Sequence, residues 1–142
     1  MKKVLFGGMF LCLLFFSVGI AHANYNSYDS YGSKTGSYRQ TSSGFNTYDE
    51  YGRKTGSYRE TSSGYDSYDE YGRKIGSFRK TSSGYNEYDE CGRKTGSYKT
   101  NGNGVTTKYD EYGRKTGSYR QDSSGNVTEY DASGRRIKTF RK

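Results

Sequence analysis

Two hydrophobic patterns divide the chain. From Val4 to Ile20 the residues are mostly apolar, preceded by Lys2 and Lys3 and followed by the small-x-small stretch Ala21-His22-Ala23. A basic start, an apolar run and a small-residue site predict a cleaved secretory signal peptide over residues 1–23. Beyond it the apolar positions become isolated, aromatic and periodic. The pair Tyr-Asp recurs at Tyr28-Asp29, Tyr48-Asp49, Tyr68-Asp69, Tyr88-Asp89, Tyr109-Asp110 and Tyr130-Asp131, with a spacing of 20 residues three times and then 21 twice. A fixed period in this range marks a repeat architecture in which each unit is one supersecondary element.

Two turn marks punctuate each unit: Asp-x-x-Gly, as in Asp49-Glu50-Tyr51-Gly52, and Thr-Ser-Ser-Gly, as in Thr61-Ser62-Ser63-Gly64. Asp or Thr at the first position and Gly at the fourth suit a type I turn closed by a left-handed residue, which reverses a hairpin. Between the marks lie short segments rich in Tyr, Thr and Ser, free of proline and too short for independent helices. The fold class expected is therefore all-β: tandem 20-21-residue β-hairpin repeats forming an antiparallel meander or open β-strip. Residues 24–142 make one domain of about five and a half repeats. Tyr58, Tyr65, Tyr68 and their counterparts form columns across the sheet, and Tyr68 is expected to meet Arg73 across the turn in a cation–π contact. Because one bulge flips the alternation, the pattern does not say which columns share a face. The first unit has Ser33 where later units have Arg, and the last stops after one strand, so the ends read as capping units.

Composition sharpens the picture. After residue 23 the chain holds 17 Tyr and 3 Phe, while its only aliphatic side chains beyond alanine are Ile75, Val105, Val127 and Ile137. An ordinary closed core is not expected; the chain has to be marginal, ordered by ladders and stacked aromatics along the repeat, or completed by a partner. Residues 24–142 carry 21 Lys and Arg against 15 Asp and Glu, a net +6 spread through the repeats. The only histidine, His22, falls within the signal segment, which removes the usual general base and the commonest metal ligand. Cys91 stands alone at a turn position that is Tyr in most other units, so no disulfide framework is expected within residues 24–142.

The segment Gly125-Asn126-Val127-Thr128-Glu129-Tyr130-Asp131-Ala132-Ser133-Gly134-Arg135 resembles the YD repeat of Rhs-type proteins, a Gly-Asn-x-Thr turn exit followed by Tyr-Asp-x-x-Gly-Arg. The likeness extends to Tyr109-Asp110-Glu111-Tyr112-Gly113-Arg114 and back through the equivalent segments to Tyr28. It implies a secreted or surface β-hairpin repeat strip; in long family members such strips coil into shells around toxin domains, and related repeats are associated with carbohydrate or cell-surface contact. Six Tyr-Asp marks are too few for such a shell, and Lys mostly replaces the apolar residue that commonly follows Gly-Arg. Architecture and location carry over, toxin activity does not.

Candidate chemistry is sparse. Gly52-Arg53-Lys54-Thr55-Gly56-Ser57 lacks the order and the flanking apolar elements of a phosphate loop. Ser62 and Ser63 have no histidine to activate them, and Asp49 with Glu50 read as turn residues rather than an acid–base pair. No enzyme activity, cofactor or metal is expected. Tyr rows interleaved with Arg and Lys suit an anionic polymer, by stacking and charge neutralisation. The expected function is a secreted, non-enzymatic interaction module of the cell surface or matrix that binds glycan or another anionic polymer. Its expected ligand-binding residues are Tyr68, Tyr88 and Tyr109 with Arg73, Arg93 and Arg114. Export to the periplasm, cell surface or medium makes intracellular nucleic acid an unexpected partner. Two rival readings are a self-associating fibre or matrix subunit, built through open strand edges, and an orphan fragment of an Rhs-like toxin system.

Overall fold

The computed structural model describes residues 24–142; the signal segment read from the sequence, with Cys12, lies outside the described residues. Twelve antiparallel strands follow one another without a helix: β1 (Tyr25–Asp29), β2 (Lys34–Thr41), β3 (Gly44–Asp49), β4 (Lys54–Thr61), β5 (Gly64–Asp69), β6 (Lys74–Lys80), β7 (Gly84–Asp89), β8 (Lys94–Thr100), β9 (Val105–Asp110), β10 (Lys115–Gln121), β11 (Val127–Asp131) and β12 (Arg136–Arg141). Each pairs with its sequence neighbours, and β1 also pairs with β12, so the meander closes into a barrel. The open strip expected from the sequence is corrected here, and so is the expectation that no closed core is available, because closure buries the aromatic rings in one interior. The two irregular ends are complementary halves and not caps: the chain enters on the Tyr-Asp strand of a unit and leaves on the strand that precedes it, so β12 and β1 supply each other's missing partner.

The Asp-x-x-Gly marks turn the chain as their composition predicts. Asp69 N–H donates to the Arg73 carbonyl at 2.9 Å, Gly72 N–H donates to the Asp69 carbonyl at 3.1 Å, and Gly72 lies at φ +79°. The Asp69 carboxylate accepts the backbone N–H groups of Tyr71 and Arg73, both at 2.9 Å, which pre-forms the turn locally. The Thr-Ser-Ser-Gly marks depart from expectation. In Thr61-Ser62-Ser63-Gly64 the glycine is already on the ladder opposite Thr61, leaving a two-residue loop whose Ser63 carbonyl accepts the Lys80 N–H of the next strand at 2.8 Å. The two 21-residue units replace this loop with Asn101-Gly102-Asn103-Gly104 and Asp122-Ser123-Ser124-Gly125, both of the Asp-x-x-Gly type.

Register settles the faces. Directly opposed pairs such as Tyr65 with Phe78 and Phe78 with Glu87 face the interior, while Ser77 with Tyr88 faces out. The inward positions carry ten aromatic rings: Tyr25, Phe45, Tyr58, Tyr65, Phe78, Tyr98, Tyr119 and Phe140 are buried, with Tyr38 and Tyr85 packed against them. The Tyr58 and Tyr65 columns are therefore core and the Tyr68 column is not. Rings fill a twelve-stranded barrel because its interior is wider than that of the eight-stranded barrels that ordinary side chains fill. Tyr98 stands 6.2 Å from Phe78 and 6.4 Å from Tyr119 between centroids, and Tyr38 meets Phe140 edge-on at 5.8 Å beside the β12–β1 closure. Where the Tyr65-equivalent position shrinks to Thr106 and Val127, the inward residue two places on grows from Ser or Thr to Lys108 and Glu129, preserving volume.

Candidate binding surfaces

The outer wall carries a belt built by one rule. On each hairpin joined at a two-residue loop or its replacement, the cation after the core aromatic lies diagonally across from the Tyr of Tyr-Asp, within reach of its ring. Arg39 covers Tyr48 at 4.9 Å, Arg59 covers Tyr68 at 4.7 Å, Arg79 covers Tyr88 at 5.8 Å, Lys99 covers Tyr109 at 5.5 Å and Arg120 covers Tyr130 at 5.4 Å, measured to the ring centroid. Arg141 covers Tyr28 at 5.2 Å across the β12–β1 closure, so the belt is continuous around the barrel. Each tyrosine is half-buried over a small hydroxyl residue of the neighbouring strand, as Tyr68 is over Ser57, Tyr88 over Ser77 and Tyr28 over Thr139.

A second surface lies at the end where the six turns that begin at Tyr-Asp gather. There Arg53, Arg73, Arg93, Arg114 and Arg135 donate Nε–H to the turn aspartates at 2.8, 2.7, 2.8, 2.8 and 3.1 Å. The backbone N–H of Arg93 holds the Asp89 carboxyl below the ordinary carboxylate range, helped by the Arg93 guanidinium, and Arg114 and Arg135 do the same for Asp110 and Asp131. Tyr31, Tyr51, Tyr71 and Tyr112 crown these turns at 94, 76, 76 and 75 % exposure. Arg53, Arg73 and Arg114 lie over Tyr51, Tyr71 and Tyr112 at 5.2, 5.2 and 5.0 Å, and Cys91 fills the same position in the fourth turn.

Charge is partitioned between these surfaces. The six turn segments 29–34, 49–54, 69–74, 89–94, 110–115 and 131–136 hold eleven bases against ten acids; the belt with the opposite end holds eight against three. Two bases and two acids remain, and they face inward: Glu87, Lys108, Glu129 and Lys138. Tyr98 Oη donates to Glu87 at 3.3 Å and Tyr119 Oη to Glu129 at 3.0 Å. Burial pushes the Glu87 carboxyl up, against the opposing pull of Lys108 and the Tyr98 hydroxyl; Glu129 is raised in the same way against Tyr119, Lys138 and Lys108. Both phenols are raised well above their usual range, by burial first and then by the carboxylate charge beside each. These four charged groups sit at inward positions among the rings.

The residues singled out from the sequence are thus divided. Tyr68, Tyr88 and Tyr109 lie in the belt, whereas Arg73, Arg93 and Arg114 belong to the turns. The expected Tyr68–Arg73 stacking is replaced by Arg59 on Tyr68 and Arg73 on Tyr71, because the Asp69 carboxylate draws the Arg73 side chain back over its own turn. The belt cations escaped the sequence reading, although the dipeptides Tyr38-Arg39, Tyr58-Arg59, Phe78-Arg79, Tyr98-Lys99, Tyr119-Arg120 and Phe140-Arg141 repeat without exception. The interior charges also escaped; the signal of three of them is the residue immediately before Tyr-Asp, where Ser or Thr gives way to Glu87, Lys108 and Glu129 as the column is read down the units, at positions 27, 47, 67, 87, 108 and 129. No protein-family model matches the chain, and no curated protein matches it.

Proposed function

We propose that the protein is a secreted, non-enzymatic interaction module that binds an acidic polysaccharide or a similar anionic polymer of the cell surface or matrix along the belt. The observation that carries this reading is the uninterrupted ring of six tyrosine–cation pairs on a wall that, with the end opposite the crown, holds eight bases against three acids. Successive pairs are two strands apart, about 9.5 Å at ordinary strand spacing, so a polymer laid around the barrel meets the same ring and charge at regular intervals. The belt replaces the Tyr–Arg columns inferred from the sequence: its cations are Arg59, Arg79 and Lys99 rather than Arg73, Arg93 and Arg114. The outward wall, with Arg, Asn, Ser and Thr between the tyrosines, is the reverse of a lipid-facing barrel, whose outer band is apolar.

The likeness to Rhs-type YD repeats agrees with a surface location and with carbohydrate contact, and the orphan-fragment reading shares that origin. The fibre reading loses its stated route, since every described strand is paired on both sides and offers no open edge. Titration with heparin, polygalacturonate and neutral dextran tests the proposal. Heparin and polygalacturonate should bind with an affinity that falls steeply with salt, and Arg59→Gln with Arg79→Gln should weaken both and flatten the salt dependence. Equal binding of dextran, or no binding of either polyanion at low salt, refutes it.

A further inference from the structure

The crown of turns is a different surface from the belt, and its chemistry points to a different partner. Four tyrosines exposed by 75 % or more stand on one rim, a concentration of apolar surface that isolated exposed rings do not produce. The rim is not cationic like the belt; its eleven bases and ten acids come as an acidic and then a basic run in each turn, so the two signs alternate from turn to turn. In the second, third and fifth turns the chain presents an acid, then a tyrosine, then an arginine: Glu50-Tyr51-Arg53, Glu70-Tyr71-Arg73 and Glu111-Tyr112-Arg114. The arginines spend Nε on their own aspartates yet keep side-chain exposures of 75, 74 and 74 %.

We infer that this crown is a self-association face on which two copies of the chain meet head to head. Two rims placed face to face run in opposite senses, so a twofold axis that brings the Glu of one turn beside the Arg of a turn on the other copy makes the reverse contact as well. Such an isologous contact needs a surface that is its own electrostatic complement, which a nearly neutral, alternating rim is and the belt is not. An acidic or basic partner would face ten or eleven like charges on the same rim. Tyr51, Tyr71 and Tyr112, each covered by the arginine of its own turn, are with Tyr31 the rings the contact would bury.

The test is sedimentation velocity on the protein across a concentration series, beside a variant carrying Tyr31→Ser, Tyr51→Ser, Tyr71→Ser and Tyr112→Ser. Ser133 shows that this turn closes with serine at the position: its N–H donates to Asp131 at 2.9 Å as the tyrosines' do. The protein should sediment as a discrete dimer and the variant as a monomer of unchanged far-ultraviolet circular dichroism, with dissociation favoured at least about tenfold. A spin label on Cys91, with Cys12 replaced by serine in any preparation that retains it, should report short distances between labels in the dimer. A monomer throughout, a dimer indifferent to the four substitutions, or labels beyond dipolar reach of each other would each overturn the inference. Because the label reads the unsubstituted tyrosines, a variant that failed to fold would not rescue it. Arg59→Gln and Arg79→Gln should leave the dimer intact, which separates this face from the belt.

Discussion

Two glycines of one repeat are expected to fail for different physical reasons when a methyl group is added. Gly72 lies at φ +79° with nothing within 4 Å of a built Cβ, so Gly72→Ala meets only the left-handed backbone penalty, about 1–2 kcal/mol. At Gly64 (φ +151°) a Cβ would sit 1.9 Å from the Phe78 carbonyl oxygen and 2.9 Å from its carbon. Carbon and oxygen need roughly 3.3 Å, so β5 and β6 must part by about 1.4 Å where Gly64 opposes Arg79. In a closed barrel that displacement cannot be relieved by letting an edge strand drift. One or two ladder bonds are forfeited with their buried partners left unsatisfied, at about 1–3 kcal/mol each. With the backbone strain, Gly64→Ala should cost about 4 kcal/mol or more. Gly84 separates the two causes, since its Cβ would meet the Tyr98 carbonyl oxygen at 2.0 Å while its φ lies outside the left-handed region. Gly84→Ala should therefore cost about 3 kcal/mol, between the other two. Urea unfolding followed by near-ultraviolet circular dichroism of the buried tyrosines gives all three values. If Gly84→Ala costs no more than Gly72→Ala, the strands yield easily and steric closeness does not fix this position.

Two further expectations concern acids. Burial raises the Glu87 carboxyl above the value of 4.5 that it has when exposed, so the folded barrel holds its proton to higher pH than the unfolded chain. The stability this contributes is complete below the unfolded value and is lost as pH rises through the folded one. The melting temperature should therefore climb as pH falls through the raised Glu87 value towards 4.5, and Glu87→Gln should raise the melting temperature above that range and flatten the climb; a climb of unchanged size in the variant rules Glu87 out as its source. The turn aspartates act in another window: lowered from 3.8, they lose their contribution only as pH falls through their folded values, so the two trends do not overlap. At Asp69, Asn retains an oxygen to accept the Tyr71 and Arg73 N–H groups while Ala does not, so thermal melts should rank Asp69→Ala below Asp69→Asn in stability; equal losses would assign the whole effect to the Arg73 ion pair.

Much of the fold was legible where the chemistry is local. Asp-x-x-Gly announces its turn because the carboxylate, the left-handed glycine and the short loop are consecutive residues. The change of spacing from 20 to 21 was visible as well, and its meaning is a change of turn: Asn101 and Asp122 bring the longer turn to units whose predecessors use a two-residue loop. Closure was not legible, because an inward ring and an outward charge alternate identically in an open strip and in a barrel. What decides is the relation between ends 110 residues apart: β1 is the half-unit that β12 lacks, and Arg136 reaches back to the Ser30 carbonyl at 3.4 Å. The belt was half legible. Tyrosine columns follow from the period, whereas the choice of Arg59 over Arg73 depends on which acid captures Arg73.

The assignment of faces rests on a single residue per hairpin. Reading back from Phe78 by alternation, Gly76 points inward and so should Lys74, which would bury a row of ammonium groups beneath the aromatic tiers at an unpaired-charge cost no such core could offset. The ladder avoids this by slipping between Ser67 and Tyr68, where Tyr68 pairs with Lys74 and Ile75 is left over. The slip turns Lys74 outward, where its Nζ lies 2.9 Å from Asp66. The same irregularity recurs at Thr47/Tyr48, Glu87/Tyr88 and Glu129/Tyr130. An odd residue in each hairpin is thus what allows residues 24–142, with almost no aliphatic side chains, to keep rings inside and most of the charge outside. It also explains why Lys138, which takes the inward place that glycine holds at 76 and 96, needs Glu129 opposite it: the bulge protects the lysine two residues earlier in each unit but not one substituted at the inward site itself.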